Sequence, residues 1–222
     1  MRFFLQKLFL YVMIGGAAMG AGCASLPRIA VLHDPLSPSE HFALAVAYEK
    51  KKEYPLALKE YEHASKEAKF AGEALTNMAN IYLAMEMRDE AEAQYLKAIK
   101  TAPAYGPPYN NLAWLYIQNS KNLDQAESLL QAGINNDPAR TAWFLDTLAT
   151  LYEKQGDMNR SLETLQKAGE AGFAGDSAAE REFLIHLEKL YLALGREKDA
   201  EEVHEKTDRF NNPGKGPGPN GH

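Results

Sequence analysis

The sequence has few of the residues that form reactive or metal-binding sites. It contains a single cysteine among 222 residues, and its six histidines show neither an i, i+4 pair nor a zinc-binding signature. We find no nucleophile paired with a base. These absences predict that the protein is not an enzyme and that it holds no metal and no cofactor. His41 is expected to be a buried packing residue of the first helix rather than a ligand.

Clusters of basic residues are also absent. The chain has 24 basic and 30 acidic residues, for a formal net charge of -6 at pH 7. Its short basic runs, such as Lys50 to Lys52, are typical of solvated helix ends. Nucleic-acid binding requires clustered lysine and arginine. The composition therefore predicts an acidic protein that does not bind nucleic acid.

The apolar run from Leu8 to Met19 is too short to span a membrane. A bilayer core of ~30 Å requires about 20 apolar residues in a helix. Arg2 and Lys7 precede the run and small residues follow it, which is the layout of a secretory signal. Residues 1–22 are therefore predicted to be a signal peptide.

The small residues 20–22 immediately precede Cys23, and this segment resembles the lipobox of bacterial lipoproteins. Lipoboxes usually have leucine where this chain has Gly20. The resemblance implies that Cys23 is lipidated and begins a tether, residues 23–37. The absence of aspartate after the cysteine implies an outer-membrane lipoprotein that faces the periplasm. The alternative is cleavage by an ordinary signal peptidase, which leaves a soluble periplasmic protein.

Five tyrosines recur along the chain at intervals of 34, 34, 36 and 39 residues. A small residue follows each tyrosine by nine or ten positions. The tyrosines are Tyr48, Tyr82, Tyr116, Tyr152 and Tyr191. The small residues are Ala57, Ala91, Ala126, Ser161 and Ala200. Repetition at this interval predicts an array of similar structural units.

The second unit indicates that each repeat is a pair of helices. Its first apolar stripe, at i, i+3, i+4 and i+7, consists of Leu75, Met78, Ala79 and Tyr82. A second stripe consists of Ala91, Tyr95 and Ala98. Small residues let two helices approach closely. Because one pair cannot bury its apolar faces alone, neighbouring pairs are expected to stack into a continuous core.

A 34-residue unit of this kind resembles the tetratricopeptide repeat, in which two antiparallel helices form each unit. The resemblance implies an all-α fold, a right-handed superhelical solenoid of about five units over residues 38–209. The predicted units are residues 38–71, 72–105, 106–139, 142–172 and 181–209. The Gly- and Pro-rich residues 210–222 are predicted to be disordered.

Local signals also indicate where helices begin and where loops emerge. Ser37, Pro38 and Glu40 predict an N-cap, a first-turn proline and a capping box for the first helix. The third unit has an extra residue near positions 119–122, and about five extra residues lie within 169–177. Insertions between stacked helices are expected to form loops on one edge of the solenoid.

The family resemblance further implies where a partner binds. In such proteins one stripe of each first helix lines the concave groove, and here it lies mainly six and two residues before each repeated tyrosine and one residue after it. The predicted groove residues are Phe42, Val46, Glu49, Thr76, Asn80, Leu83, Asn110, Trp114, Ile117, Trp143, Asp146, Thr150, Glu153, Ile185, Lys189 and Leu192. Amides and aromatic anchors suit a peptide or helix better than a highly charged ligand. For Trp114 and Trp143, packing between neighbouring first helices is an equal alternative.

Two functions agree with these features. The first is a membrane-anchored scaffold or adaptor that binds a protein or peptide partner in the bacterial cell envelope, for assembly, secretion or appendage biogenesis. The second is a self-associating structural module that forms homo-oligomers. Residues His33 to Pro38, followed by Glu40 and His41, also resemble the segment before the repeats of some envelope lipoproteins and bacterial cysteine peptidases. That resemblance implies an accessory subunit of an envelope peptidase system as a further alternative.

Overall fold

The computed structural model describes residues 34–211, apart from the side chains of Arg209 and Asn211. Over this range the chain forms ten α-helices and one short 3-10 helix, with no β-strand. The helices are α1 (Pro38–Lys50), α2 (Tyr54–Ala64), α3 (Ala68–Ala84), α4 (Arg88–Thr101), α5 (Pro107–Asn119), α6 (Leu123–Asn136), α7 (Thr141–Lys154), α8 (Met158–Ala171), α9 (Ser177–Ala193) and α10 (Glu197–Asn211). The 3-10 helix, Pro138–Arg140, precedes α7.

Several predictions fall on residues outside the described range. These are the signal peptide at residues 1–22, lipidation of Cys23, the tether up to residue 33, and the tail from residue 212 onward. They stay predictions. Residues 210 and 211, which the sequence analysis placed in the tail, belong to α10.

Successive helices form pairs, and the pairs stack along the chain. The most extensive contacts join α1 with α2, α3 with α4, α5 with α6, α7 with α8, and α9 with α10. Three residues separate the two helices of every pair, so the chain reverses direction in each turn. The second helix of each pair also contacts the first helix of the next. This arrangement confirms the predicted all-α solenoid.

The core lies where the helices of each pair cross. The small residues after the repeated tyrosines are buried in all five pairs. The bulky second-helix residues between small positions are fully buried in the first four pairs, as Tyr61, Tyr95, Leu130 and Leu165. A side chain at Gly133 would overlap the ring of Phe144, so the close approach of α6 to α7 requires glycine there.

The predicted capping box is present at the start of α1. The Ser37 hydroxyl accepts the Glu40 backbone N–H at 3.3 Å, and the Glu40 carboxylate accepts the Ser37 backbone N–H at 2.9 Å. Each interaction satisfies a donor that has no partner within the helix. The capping box therefore fixes where the first helix begins.

The loop between the fourth and fifth pairs lies where the insertion was predicted. Helix α8 continues to Ala171 and α9 begins at Ser177, so the loop comprises residues 172–176, within the range 169–177. The fifth pair accordingly begins at residue 177 instead of about 181. Asp176 explains the earlier start, because its carboxylate accepts the backbone N–H of Ala179 at 3.0 Å as an N-cap.

The extra residue of the third unit lengthens α5, which ends three residues after Tyr116, whereas the first helices of the other pairs end two residues after their repeated tyrosine. Ser120 and Asn122 adopt left-handed backbone angles, with φ of 52° and 54°. Asparagine tolerates this region better than most residues. The turn itself keeps the three residues found in the other pairs, and both helices of the pair remain intact.

None of the helices within residues 34–211 is both long enough and apolar enough to cross a bilayer.

Candidate functional site

The first helices of successive pairs lie side by side along one face of the described array. Helix α1 contacts α3, α3 contacts α5, and α5 contacts α7. Between α7 and α9 a side-chain contact joins Asp146 to His186. We call the surface formed by α1, α3, α5, α7 and α9 the groove.

The predicted groove residues differ in exposure. The exposed ones are Trp114, Lys189 and Leu192. The half-buried ones are Phe42, Val46, Glu49, Asn80, Leu83, Trp143, Asp146, Thr150, Glu153 and Ile185. The buried ones are Thr76, Asn110 and Ile117. Thirteen of the sixteen therefore reach solvent at least in part.

Thr76, Asn110 and Ile117 do not present an open surface, which corrects the prediction for these three. The Thr76 hydroxyl donates to the Gly72 carbonyl at 2.7 Å, and Ile117 packs into the core. Asn110 is 7% exposed, and its Oδ1 is buried without a hydrogen-bond partner among the described residues. The cause is that α3 and α5 are each flanked by first helices on both sides.

A row of asparagines lies on the groove where the first three pairs meet. The Asn77 amide donates to the Tyr61 hydroxyl at 3.2 Å, across the boundary between the first and second pairs. At the next boundary, the Asn111 amide donates to Asn80 Oδ1 at 3.2 Å, and the Tyr95 hydroxyl donates to the same oxygen at 2.5 Å. Tyrosines of the second helices thus hold the amides in place.

Asn77 and Asn111 were missed by the sequence analysis, although a signal was available. Both lie five residues before a repeated tyrosine, and 34 residues separate them. Burial raises the pKa of Tyr95 to about 12, so its hydroxyl remains a donor at neutral pH. Each amide has two donors and two acceptor lone pairs. Side chains of this kind can pair with the backbone of an extended peptide.

The two tryptophans occupy different environments. Trp114, on α5, is 42% exposed at the middle of the groove. Trp143 is half-buried, and its ring centroid lies 5.6 Å from that of Phe144. It also lines a cleft of about 490 Å³ together with Arg140 and Phe173. Trp143 therefore serves packing at the edge of the solenoid, whereas Trp114 presents much of its aromatic surface to solvent.

An ionic cluster joins the fourth and fifth pairs on the groove. His186 Nδ1 lies 2.8 Å from the Asp146 carboxylate, and His186 Nε2 lies 2.8 Å from the Glu153 carboxylate. The Ser161 hydroxyl donates to the same Glu153 oxygen at 3.0 Å. Burial opposes the charge of His186, but the two carboxylates outweigh it and raise the pKa of His186 to about 9. The imidazole is therefore a cation at neutral pH, held between two anions.

This cluster predicts a loss of stability at alkaline pH. The pKa of His186 is raised from 6.5 to about 9, so the stabilisation is fully present below pH 6.5 and is lost as the pH rises through 9. We expect a loss on the order of 2 to 3 kcal/mol in the free energy of unfolding. Urea unfolding at pH 6.5 and pH 9.5 measures it. His186→Gln is expected to lack this component, and an equal pH dependence in both proteins contradicts the assignment.

A second histidine cluster lies outside the groove, at the start of the first pair. Asp34, His41 and His63 place one potential ligand atom each within 4.8 Å of one another. His41 is 5% exposed, as expected for a packing residue. Its ring nitrogens, however, face carboxylates rather than apolar neighbours.

Comparison with known proteins identifies one repeat directly. Residues 72–105 match the family model described as Tetratricopeptide repeat. They cover α3 from residue 72 onward, α4 and the turn that follows. None of the curated proteins matches the chain significantly.

Solved structures with the same fold cover most of the chain. BtubC (BKLC) from P. vanneervenii is 20% identical, with a TM-score of 0.67 over 83% of this chain and 84% of that one. TTC0263, a thermophilic TPR protein in Thermus thermophilus, is 23% identical, with a TM-score of 0.61 over 81% and 93% of the two chains. The pilF protein of Pseudomonas aeruginosa is 21% identical, with a TM-score of 0.59 over 82% and 79%.

The sequence match and the structural matches agree with the helix pairs described above. Proteins built from these repeats are generally scaffolds for protein interaction and not catalysts. The buried small residues recur in all five pairs, and the buried bulky second-helix residues recur in the first four, rather than in the matched repeat alone. Residues 72–105 thus match the tetratricopeptide repeat, and the described helix pairs have the fold of solved proteins that are built from such repeats.

Proposed function

We propose that this protein is a membrane-anchored scaffold that binds an extended peptide or helical segment of a partner protein in its groove, within the bacterial cell envelope. The observation that carries the binding proposal is the exposure of Trp114, at 42%, on the groove side of the central pair. Large aromatic side chains in the centre of an interface commonly supply much of its affinity.

The surroundings of Trp114 favour a peptide ligand. Asn111 lies three residues earlier on α5 and therefore near the same face. Asn80 occupies the position in the second unit that Trp114 occupies in the third, two residues before the repeated tyrosine. An apolar anchor beside fixed amides can hold both a side chain and the backbone of a ligand.

The proposal for anchoring rests on the sequence before the repeats. A short apolar run precedes small residues and Cys23, and residues 23–37 connect that cysteine to α1. A fully extended tether of this length reaches at most ~50 Å at ~3.3 Å per residue. The partner is accordingly proposed to lie at or near the membrane.

Replacing Cys23 with serine tests the anchor. We expect the variant to lose lipid labelling and to move from the membrane fraction to the soluble periplasmic fraction, because Cys23 is the single cysteine of the chain and the proposed site of lipid attachment. Metabolic labelling with a fatty-acid analogue and cell fractionation measure both effects. A wild-type protein that is already soluble and carries an unmodified thiol contradicts the proposal and favours cleavage by an ordinary signal peptidase.

Site-specific crosslinking in cells tests the groove. A photoreactive phenylalanine derivative, which keeps a large aromatic side chain at the anchor position, replaces Trp114 in one protein and Leu96, which is 48% exposed on the second helix α4, in a matched control. We expect a distinct protein to crosslink from position 114 and not from position 96. Crosslinks from position 114 to a second copy of the chain, together with a dimeric or larger mass by light scattering, favour the self-associating module instead.

A further inference from the structure

Three side chains from separate parts of the first repeat converge beside α1. Asp34 precedes that helix, His41 lies within it, and His63 lies near the end of α2. Asp34 Oδ2 is 3.2 Å from His41 Nε2 and 3.2 Å from His63 Nδ1. One carboxylate oxygen is therefore equally close to nitrogen atoms of two different rings.

These separations match the spacing of ligands around a small cation. With metal–ligand bonds of about 2.0 to 2.1 Å, neighbouring ligands of a tetrahedral Zn²⁺ ion lie roughly 3.3 Å apart. Both measured distances, at 3.2 Å, are close to that value. The two rings also lie near each other, with centroids 4.6 Å apart and planes tilted by 40°. One potential ligand atom from each of the three residues lies within 4.8 Å of the others, so the three donors can share one centre.

A fourth residue orients the buried histidine. The Glu60 carboxylate lies 2.5 Å from His41 Nδ1, and its side chain is only 14% exposed. A carboxylate that accepts a hydrogen bond from one ring nitrogen leaves the lone pair of the other nitrogen available for a metal. For His41 that other nitrogen is Nε2, which faces Asp34.

The charges in this cluster also favour a cation. Asp34 and Glu60 flank the same imidazole from opposite sides. With neutral imidazoles the cluster carries two negative charges, which a divalent ion balances. Imidazole nitrogen together with carboxylate oxygen suits Zn²⁺ and its transition-metal neighbours better than Mg²⁺ or Ca²⁺, which prefer oxygen ligands alone.

We propose that Asp34, His41 and His63 bind a divalent transition-metal ion of the Zn²⁺ type, with Glu60 as the positioning residue for His41. The side chains of Asp34 and His63 are 43% and 30% exposed, so the outer side of the ion is open to water or to a ligand from a partner. The ion ties the segment before α1 to both helices of the first pair. The bound ion thereby stabilises the end of the solenoid that is nearest to the proposed anchor.

The test is a titration of the full chain, carrying no affinity tag and stripped of metal, with ZnCl₂ in a calorimeter. We expect wild-type protein to bind one ion that Asp34→Asn and His63→Gln each bind at least about a hundredfold more weakly. Glu60→Gln is expected to weaken binding by about 10- to 100-fold, as changes behind a ligating histidine do. His204→Gln is a matched control, because His204 Nδ1 pairs with the Glu188 carboxylate at 2.9 Å on the last repeat.

Melting curves separate loss of the site from loss of the fold. Asp34 and His63 are partly exposed, so their variants are expected to melt like the metal-free parent, whereas zinc raises the melting temperature of the parent alone. Equal zinc affinity in the parent and both variants overturns the inference, because binding then occurs elsewhere. Absence of zinc binding by the parent also overturns the inference. In that case hydrogen bonds alone hold the cluster together. Neither result bears on the groove.

Discussion

Replacing Tyr95 with alanine is expected to lower the free energy of unfolding by about 3 to 5 kcal/mol. Tyr95 lies on α4 and is fully buried against the neighbouring helices. It belongs to a core cluster that includes the small residues Ala79 and Ala91. Replacing the tyrosine ring with a methyl group leaves a cavity, because the surrounding helices relax only partly. It also removes the hydroxyl that donates to Asn80 at 2.5 Å. Urea unfolding followed by circular dichroism measures the loss.

The adjacent residue supplies a control for this substitution. Leu96 lies on the same helix but is 48% exposed, so Leu96→Ala is expected to change stability by less than about 1 kcal/mol. Tryptophan fluorescence adds a second probe, because Trp114 and Trp143 lie in the third and fourth pairs. Neighbouring repeats stabilise each other, so the signal from Trp114 is expected to shift as well. Equal unfolding of Tyr95→Ala and the parent shows that the assigned repeat register is wrong.

Replacing Trp114 with alanine is expected to weaken partner binding by about 2 kcal/mol or more, roughly thirtyfold in the dissociation constant. The expectation follows from its position, because the side chain is 42% exposed on α5 and the half-buried Asn111 lies one helical turn earlier. Binding of the partner found by crosslinking, measured by calorimetry with the purified proteins, tests it.

Stability is the necessary control for Trp114→Ala, because a tryptophan can also contribute to packing. The variant is expected to retain the circular dichroism spectrum and nearly the same urea midpoint as the parent. Leu96→Ala removes a similarly exposed apolar side chain from the second helix α4 and is expected to bind the partner normally. If Trp114→Ala is stable and binds with unchanged affinity, the groove is not the binding surface. The cleft beside Trp143 and the loop at 172–176 is then the next surface to test.

The repeat architecture could be predicted because its determinants are local and periodic. The repeated tyrosines and small residues recur at about the length of one helix pair, and every such position is needed to pack one helix against the next. The start of α1 could be predicted for the same reason, since Ser37 and Glu40 lie within one turn of each other. The start of α9 was missed because Asp176 lies within an insertion that breaks the period.

The groove could be predicted only in part. A stripe at fixed distances from the tyrosine identifies the correct helices, but the exposure of each position depends on how closely neighbouring first helices approach. In α3 and α5 the residue six positions before the tyrosine is buried, and these residues are Thr76 and Asn110. The residue that follows each of them is a half-buried asparagine, Asn77 or Asn111. In α7 the pattern reverses, because Asp146 is half-buried and Thr147 is buried.

The sequence by itself determined the helical repeat, the small residues at the helix crossings and the cap of the first helix. The tertiary structure alone decided which distant side chains meet. His186 contacts Asp146 and Glu153 from 40 and 33 residues away, and His41 and His63 share Asp34 although they lie on different helices. Such contacts depend on the tilt and spacing of whole helices, which are set by packing across the array and leave no fixed interval in the chain.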